Sequence, residues 1–264
     1  MSVIDYRGKT ALVTGASSGI GRAFAEALAA RGANLLLAAR SEKVLAELAD
    51  GLHRKHGVSA RAITVDLGRE DGPDRLLESA GGAAAQIDIL VNNAGFGTYG
   101  RFEELRVDRD HQEVMLNVTA LARLTHLVLP SMLARGAGIL MNVASTAAFQ
   151  PLPFMAIYGA TKAFVLSFTE ALWAELKDRS IRVLAVCPGP TETNFFKSVG
   201  DERAAGVGKR RTPEQVVSGA LRALARGASC YVDGRRNLLQ IQALRLAPRR
   251  VVASGAAAVL KPKP

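Results

Sequence analysis

The chain has 264 residues, 48% of them hydrophobic and 22% charged, which suits one sizeable α/β domain and excludes a disordered chain. Its four histidines and two cysteines show neither metal-ligand spacing nor a disulfide framework, so Cys187 and Cys230 read as small core residues of a protein in a reducing, cytoplasmic compartment. The net charge of +10 is uneven: residues 1–200 carry 21 Lys and Arg against 20 Asp and Glu, whereas residues 201–264 carry 13 against 4, with almost no aromatics to stack on bases, which argues against nucleic acid and leaves a simply solvated surface, an anionic membrane surface or a phosphorylated ligand as its readings.

The start of the chain is too polar for a signal peptide, and no apolar run reads as long enough to span a bilayer. Thr10 to Thr14 reads as a short apolar strand. It runs directly into Gly15-Ala16-Ser17-Ser18-Gly19-Ile20-Gly21 and a helix from Ile20 to Ala30. A glycine-rich turn between a first strand and a first helix lets backbone N–H groups approach a pyrophosphate, which makes Gly15, Ser17, Ser18, Gly19, Ile20 and Gly21 candidate dinucleotide contacts. The second strand, Asn34 to Ala39, ends at Arg40, where an NAD site would carry an acid for the ribose hydroxyl. An arginine there suits a 2′-phosphate, so NADP(H) is expected in preference to NAD(H).

A helix from Glu42 to His56 and a strand from Ala60 to Val65 follow, the strand ending at Asp66-Leu67. Residues 70–85 look helical, broken by Gly72-Pro73 and Gly81-Gly82. Asp88 to Val91 is a fourth strand that runs into Asn92-Asn93-Ala94-Gly95. A long helix from Asp110 to Arg135 contains Asn117, and an apolar strand from Gly138 to Ala144 ends at Ser145. After Pro153 a helical pattern carries Tyr158 and Lys162, four residues apart and so on one face. An ammonium that close is expected to lower the phenol's pKa from about 10 and make it a proton donor and acceptor near neutral pH. A sixth strand from Ile181 to Val186 leads to Pro188, Gly189, Thr191 and Thr193, and a helix from Pro213 to Arg226 precedes a seventh strand from Ser229 to Val232.

Strand alternating with helix argues for α/β architecture: a doubly wound, parallel, seven-stranded sheet with helices on both faces. Ligands of such sheets sit beyond the carboxyl ends of the strands, where Gly15, Arg40, Asp66, Asn92 and Ser145 fall together. Residues 1–236 read as one catalytic domain with an irregular lid near 190–212, and residues 237–264 as a basic, weakly amphipathic tail. Apolar side chains flanking the edge, above all Phe96, Phe149, Phe154 and Phe195, suggest a bulky hydrophobic substrate.

From about Gly8 to Tyr231 the chain resembles the short-chain dehydrogenase/reductase family. The likeness rests on Thr14-Gly15-x3-Gly19-x-Gly21, Asp66, Asn92-Asn93-Ala94-Gly95, Asn117, Ser145, Tyr158-x3-Lys162 and Pro188-Gly189 with Thr191 or Thr193; within the family, Asn117 to Phe196 is similar to hydroxysteroid dehydrogenases and 3-ketoacyl reductases. The resemblance implies a Rossmann-type fold, a homodimer or homotetramer, and hydride transfer between a nicotinamide and a carbonyl or alcohol carbon. Tyr158 would then be the general acid or base, Lys162 its partner and a ribose ligand, Ser145 the group orienting the substrate oxygen, and Asn117 the support of a water-linked proton path. Asp66, Leu67, Asn93, Ala94 and Gly95 would complete the cofactor site. Ser18 departs from NADP-preferring relatives, which often carry a basic residue there. A silent NADP(H)-binding sensor is the alternative, but it would have no need of Asn117, Ser145, Tyr158 and Lys162 together.

Overall fold

The computed structural model describes residues 4–81, 86–195, 199 and 210–262. Seven strands form: β1 (Thr10–Thr14), β2 (Asn34–Ala39), β3 (Ala60–Thr64), β4 (Ile89–Asn92), β5 (Gly138–Val143), β6 (Ile181–Cys187) and β7 (Cys230–Val232). All pair in parallel, in the order β3-β2-β1-β4-β5-β6-β7. The chain winds outward from β1 to β3, then returns and winds the other way from β4 to β7. Connections therefore diverge between β1 and β4, and a crevice opens above the strand ends there.

The strands are apolar along nearly their whole length because both faces of the sheet are covered. Alternation sends Ala11 and Val13 of β1 to one face, with Leu35, Leu37, Val91 and Met141, against α1 (Gly19–Ala29), α2 (Glu42–His56) and α7 (Pro213–Ala225). Leu12 points the other way, with Leu90, Leu140 and Val183, against α3 (Gly72–Ala80), α5 (Leu121–Arg135) and α6 (Ala156–Leu176). Local chemistry sets several boundaries. Pro73 opens α3, and Thr212 opens α7 in a reciprocal capping box with Gln215 ahead of Pro213.

The long helix begins earlier than expected, at α4 (Val107–Val114), and passes through a π-helical turn, Met115–Ala120, into α5. At 29 residues it is long and apolar enough to cross a membrane, contrary to the expectation that no segment is. Part of its apolar surface is spent on the sheet, where Leu121, Leu124, Val128 and Met132 are buried, while Val107, Val114 and Leu127 stand exposed. A buried polar ladder joins this helix to its neighbours. Asn92 donates to Thr125 Oγ1 (3.1 Å) and Asn142 Oδ1 (2.9 Å), and Asn142 donates to Thr169 Oγ1 (2.9 Å), so β4, β5, α5 and α6 share one network.

Residues expected as a tail instead form α8 (Arg235–Leu244) and α9 (Arg249–Leu260), separated at Pro248. The Tyr99 hydroxyl donates to the Leu260 carbonyl at 2.7 Å and fastens the end of α9 to the body. Phe196 and most of the expected lid lie outside the described residues. The two ends of that segment meet in a parallel bridge between Thr191 and Arg211, and Arg211 Nε lies 2.6 Å from Asp233 Oδ2.

Candidate active site

The crevice holds a cavity of about 980 Å³, within the range of small-molecule sites. At its β1 end the backbone dictates the glycines. Gly15 and Gly19 have φ of +64° and +54°, where a Cβ is disfavoured. A Cβ on Gly21 would run into the Gly15 carbonyl and the Asn93 side chain, so Gly21 lets α1 pack flush against β1. Ser18 enters α1 in extended conformation without capping it through its side chain. The first-turn N–H groups of α1 thus face the cavity that Ser17, Ser18, Gly19 and Ile20 line, a donor set suited to a pyrophosphate.

Along the strand ends the lining continues through Arg40, Ser41, Asp66 and Leu67 to Asn93, Ala94 and Gly95. The Asn93 side-chain amide does not reach outward: it donates to the carbonyls of Thr14 (2.9 Å) and Gly15 (3.3 Å), while Thr14 Oγ1 accepts from the backbone of Asn93 and Ala94. Asn93 therefore shapes the turn, and the cavity meets mainly backbone. Pro188, Gly189, Thr191 and Thr193 line the far wall beyond β6.

Ser145, Tyr158 and Lys162 meet at the middle of the cavity. Ser145 follows β5 and accepts from Ala147 N at 3.1 Å, and its hydroxyl acts on the Tyr158 phenol by favouring the ionised form. Lys162 is buried and donates to the Val143 carbonyl at 2.8 Å, with Nζ 5.8 Å from the Tyr158 ring centre. Burial governs both groups. It pushes the Tyr158 phenol up to about 12, against the opposing Ser145 hydrogen bond, and pulls the Lys162 ammonium down to about 8. The expectation of a phenol lowered by Lys162 does not hold: desolvation of the phenolate raises it, the nearby Glu113 charge adds to that, and only the Ser145 hydroxyl opposes the shift.

Asn117 lies under the cavity wall and not in it. Its Oδ1 accepts from Phe96 N (3.2 Å), and its Nδ2 donates to the Phe96 carbonyl (2.9 Å) and Thr161 Oγ1 (3.1 Å). The π turn, a local widening often found at functional sites, carries this side chain beneath the loop after β4. There it abuts Gly95, where a Cβ would lie 2.8 Å from Asn117 Oδ1 and 3.5 Å from Lys162 Nζ.

Of the aromatic residues expected at the substrate, Phe96 and Phe195 line the cavity, joined by Leu152 and Met155. Phe195 packs on Tyr158 with ring centres 5.2 Å apart. Phe149 and Phe154 do not line it. Phe149 turns into the cluster of Leu121, Ala144 and Val165, and Phe154 sits in a turn at φ 65° whose carbonyl accepts from Gly100 N.

Several lining residues escaped the sequence reading. Arg109 stacks on Phe96 at 4.3 Å, and behind the lining Gly97 leaves room for the Tyr158 ring, 3.0 Å from where a Cβ would stand. Asn237, Gln240, Ile241 and Leu244 of α8, with Val252, Ala256 and Leu260 of α9, form one wall. The i, i+3, i+4, i+7 spacing on α8 and the i, i+4, i+8 spacing on α9 were the available signal. Glu113, one turn before Asn117, is wholly buried: Oε2 accepts from Thr98 Oγ1 at 2.8 Å and Oε1 has no hydrogen-bond partner. Burial raises its carboxyl to about 7.

The short chain dehydrogenase family matches residues 9–204. A very-long-chain 3-oxoacyl-CoA reductase of Anas platyrhynchos is 37% identical over 195 residues, which are 72% of this chain and 62% of the relative, so the chain spans under two thirds of that protein. Among solved structures, a short-chain dehydrogenase from Sphingobium yanoikuyae in complex with NADPH superposes with a TM-score of 0.83 at 35% identity, covering 93% of this chain and 95% of that one. The bulky-bulky ketone specific alcohol dehydrogenase of Comamonas testosteroni does so at 0.77 and 32% identity, covering 90% and 92%. The chain belongs to the short-chain dehydrogenase/reductase family.

Proposed function

We propose that this protein is an NADP(H)-dependent oxidoreductase interconverting a ketone and a secondary alcohol on a bulky hydrophobic substrate. The observation that carries the reading is the Ser145–Tyr158–Lys162 cluster, set where a backbone-lined dinucleotide groove meets an apolar wall in one cavity. The glycine turn, Arg40, Asp66, Leu67, the Asn93–Gly95 turn and Pro188 to Thr193 would hold the cofactor, which supplies or accepts the hydride. Arg40 favours the 2′-phosphate form, in line with the NADPH named for the Sphingobium relative.

In reduction, Ser145 holds the ketone oxygen beside the phenol, and Tyr158 donates its proton as negative charge builds on that oxygen. A phenol kept protonated by burial is ready for this direction. The buried ammonium of Lys162 stabilises the resulting phenolate. Oxidation runs the same steps backward and needs the phenolate first. Proton transfer of this kind contributes about 10²–10⁴ in rate, and orientation much of the rest. The apolar side chains Phe96, Leu152, Met155, Phe195, Ile241 and Val252 favour a bulky carbonyl compound, in line with the names of the duck and Comamonas relatives.

The test is a ketone series of increasing chain length and ring count with NADPH. Each buried methylene contributes up to about 0.8 kcal/mol, so kcat/KM should climb along the series, and Tyr158→Phe should abolish turnover with cofactor affinity retained. A flat series, or substantial turnover by Tyr158→Phe, defeats the reading.

A further inference from the structure

The two C-terminal helices have one side in the cavity wall and another that the fold leaves bare. Leu239 on α8 and Leu246 in the turn after it are 71% and 89% exposed. On α9, Val251 and Val259 are 61% and 60% exposed and also line the cavity, so its mouth opens beside the bare face. Strongly exposed apolar side chains on two consecutive helices, some of them at the cavity mouth, call for a partner.

The charge on these helices identifies its chemistry. After Asp233 the sequence has no acidic residue and seven basic ones, Arg235, Arg236, Arg245, Arg249, Arg250, Lys261 and Lys263. No ion pair among the described residues includes any of the first six. Such a surface does not suit a second copy of this chain, since a two-fold contact would set arginine against arginine. The segment after Tyr99, by contrast, is mixed in charge: Arg101 pairs with Glu103 and Glu104, and Arg106 with Asp108.

We propose that α8 and α9 dock this protein on an anionic lipid bilayer, with Leu239 and Leu246 in the acyl boundary and the arginines among the headgroups, so that the cavity mouth faces the membrane. Apolar and cationic groups together are what an interfacial helix requires. An apolar substrate dissolved in lipid would then enter between Val251 and Val259 without crossing water. The docking itself does not depend on the proposed reaction, because its test reads binding.

The full chain is sedimented with vesicles of phosphatidylcholine alone and of phosphatidylcholine with phosphatidylserine, at low and high salt. Wild type should sediment with the phosphatidylserine vesicles, less at high salt, and weakly with phosphatidylcholine alone. Binding should fall about fivefold for each charge removed in Arg249→Gln/Arg250→Gln, and about tenfold or more in Leu239→Ser/Leu246→Ser. None of these four residues lines the cavity, so both variants should retain turnover of a water-soluble ketone, which reports that they are folded. Failure of wild type to bind either vesicle overturns the proposal. So does loss of binding in the arginine variant alone, which is adsorption of a basic protein. A leucine variant that changes particle mass in light scattering without vesicles would assign the face to a second copy and overturn it too.

Discussion

Neutralising Glu113 should stabilise the protein at alkaline pH and change little at acid pH. The carboxyl lies wholly buried between α4 and the loop bearing Thr98, with one oxygen bonded to the Thr98 hydroxyl and the other unpartnered. Asp110 repels its charge and Lys162 attracts it, but desolvation dominates and raises its pKa from 4.5 to about 7. Between those values the folded chain holds a proton that the unfolded chain has released. Stability must therefore fall as pH rises from about 4.5 to about 7 and stay level above that. At about 1.4 kcal/mol per pKa unit the full loss is about 3 kcal/mol, or a melting shift of about 6 °C for a chain of this size. Glu113→Gln keeps an acceptor for Thr98 and removes the charge. Melting curves of the two proteins should nearly coincide around pH 4.5 and separate by about 6 °C above pH 7.5, the variant melting higher. Parallel profiles, or a variant that melts lower at alkaline pH, would refute the argument; the second result would mean that the Lys162 attraction outweighs desolvation.

Arg40→Asp should move cofactor preference toward NAD(H), read as the ratio of kcat/KM for NADPH and NADH; an unchanged ratio makes Arg40 a bystander. Gly97→Ala would place a Cβ 3.0 Å from Tyr158 Cδ2, 3.2 Å from Phe195 and 3.3 Å from Met155. Displacing the catalytic ring by a fraction of an ångström should cost about tenfold or more in kcat with little change in melting, and a fully active variant would show that the ring has slack. Asp233→Ala removes the partner of Arg211 and of the Tyr231 hydroxyl, 2.7 Å away. It should cost about 2 kcal/mol in denaturant unfolding and raise KM for the cofactor more than it lowers kcat, because it loosens the Thr191–Arg211 bridge; an unchanged KM separates that bridge from cofactor binding.

Features set by short-range chemistry were legible in the sequence. Continuous apolar runs gave the parallel strands, a glycine turn between strand and helix gave the groove, and a four-residue spacing gave Tyr158 and Lys162 on one face. What depends on the direction of a single side chain was not. Phe149 and Phe96 are both loop aromatics near the edge, yet only the packing of β5 against α6 decides which one meets the cavity. Glu113 sits in a helix rich in charge and reads as a surface residue until the rotation of α4 is known. The pKa of Tyr158 was misjudged because charge proximity can be read from spacing, whereas the depth of burial cannot. Asn237 to Leu260 carry a helical repeat, but basic composition at a chain end hides it, and nothing local says which body it will cover.

The ladder of Asn92, Asn142, Thr125 and Thr169 acts on the catalytic lysine from a distance. Thr169 lies seven residues beyond Lys162, two turns along the same face of α6. A seam of methyl groups at that point would hold the helix to the sheet about as firmly, but contact between apolar surfaces changes little over small axial slips. The amide of Asn142 meets the Thr169 hydroxyl at only one axial setting. The ladder therefore works as a dowel between sheet and helix, fixing how far α6 slides and turns over β5, and with it the position of the Lys162 ammonium relative to Ser145. Replacing Thr169 and Asn142 with valine and leucine could leave a protein as stable as the parent whose catalytic groups no longer share one register.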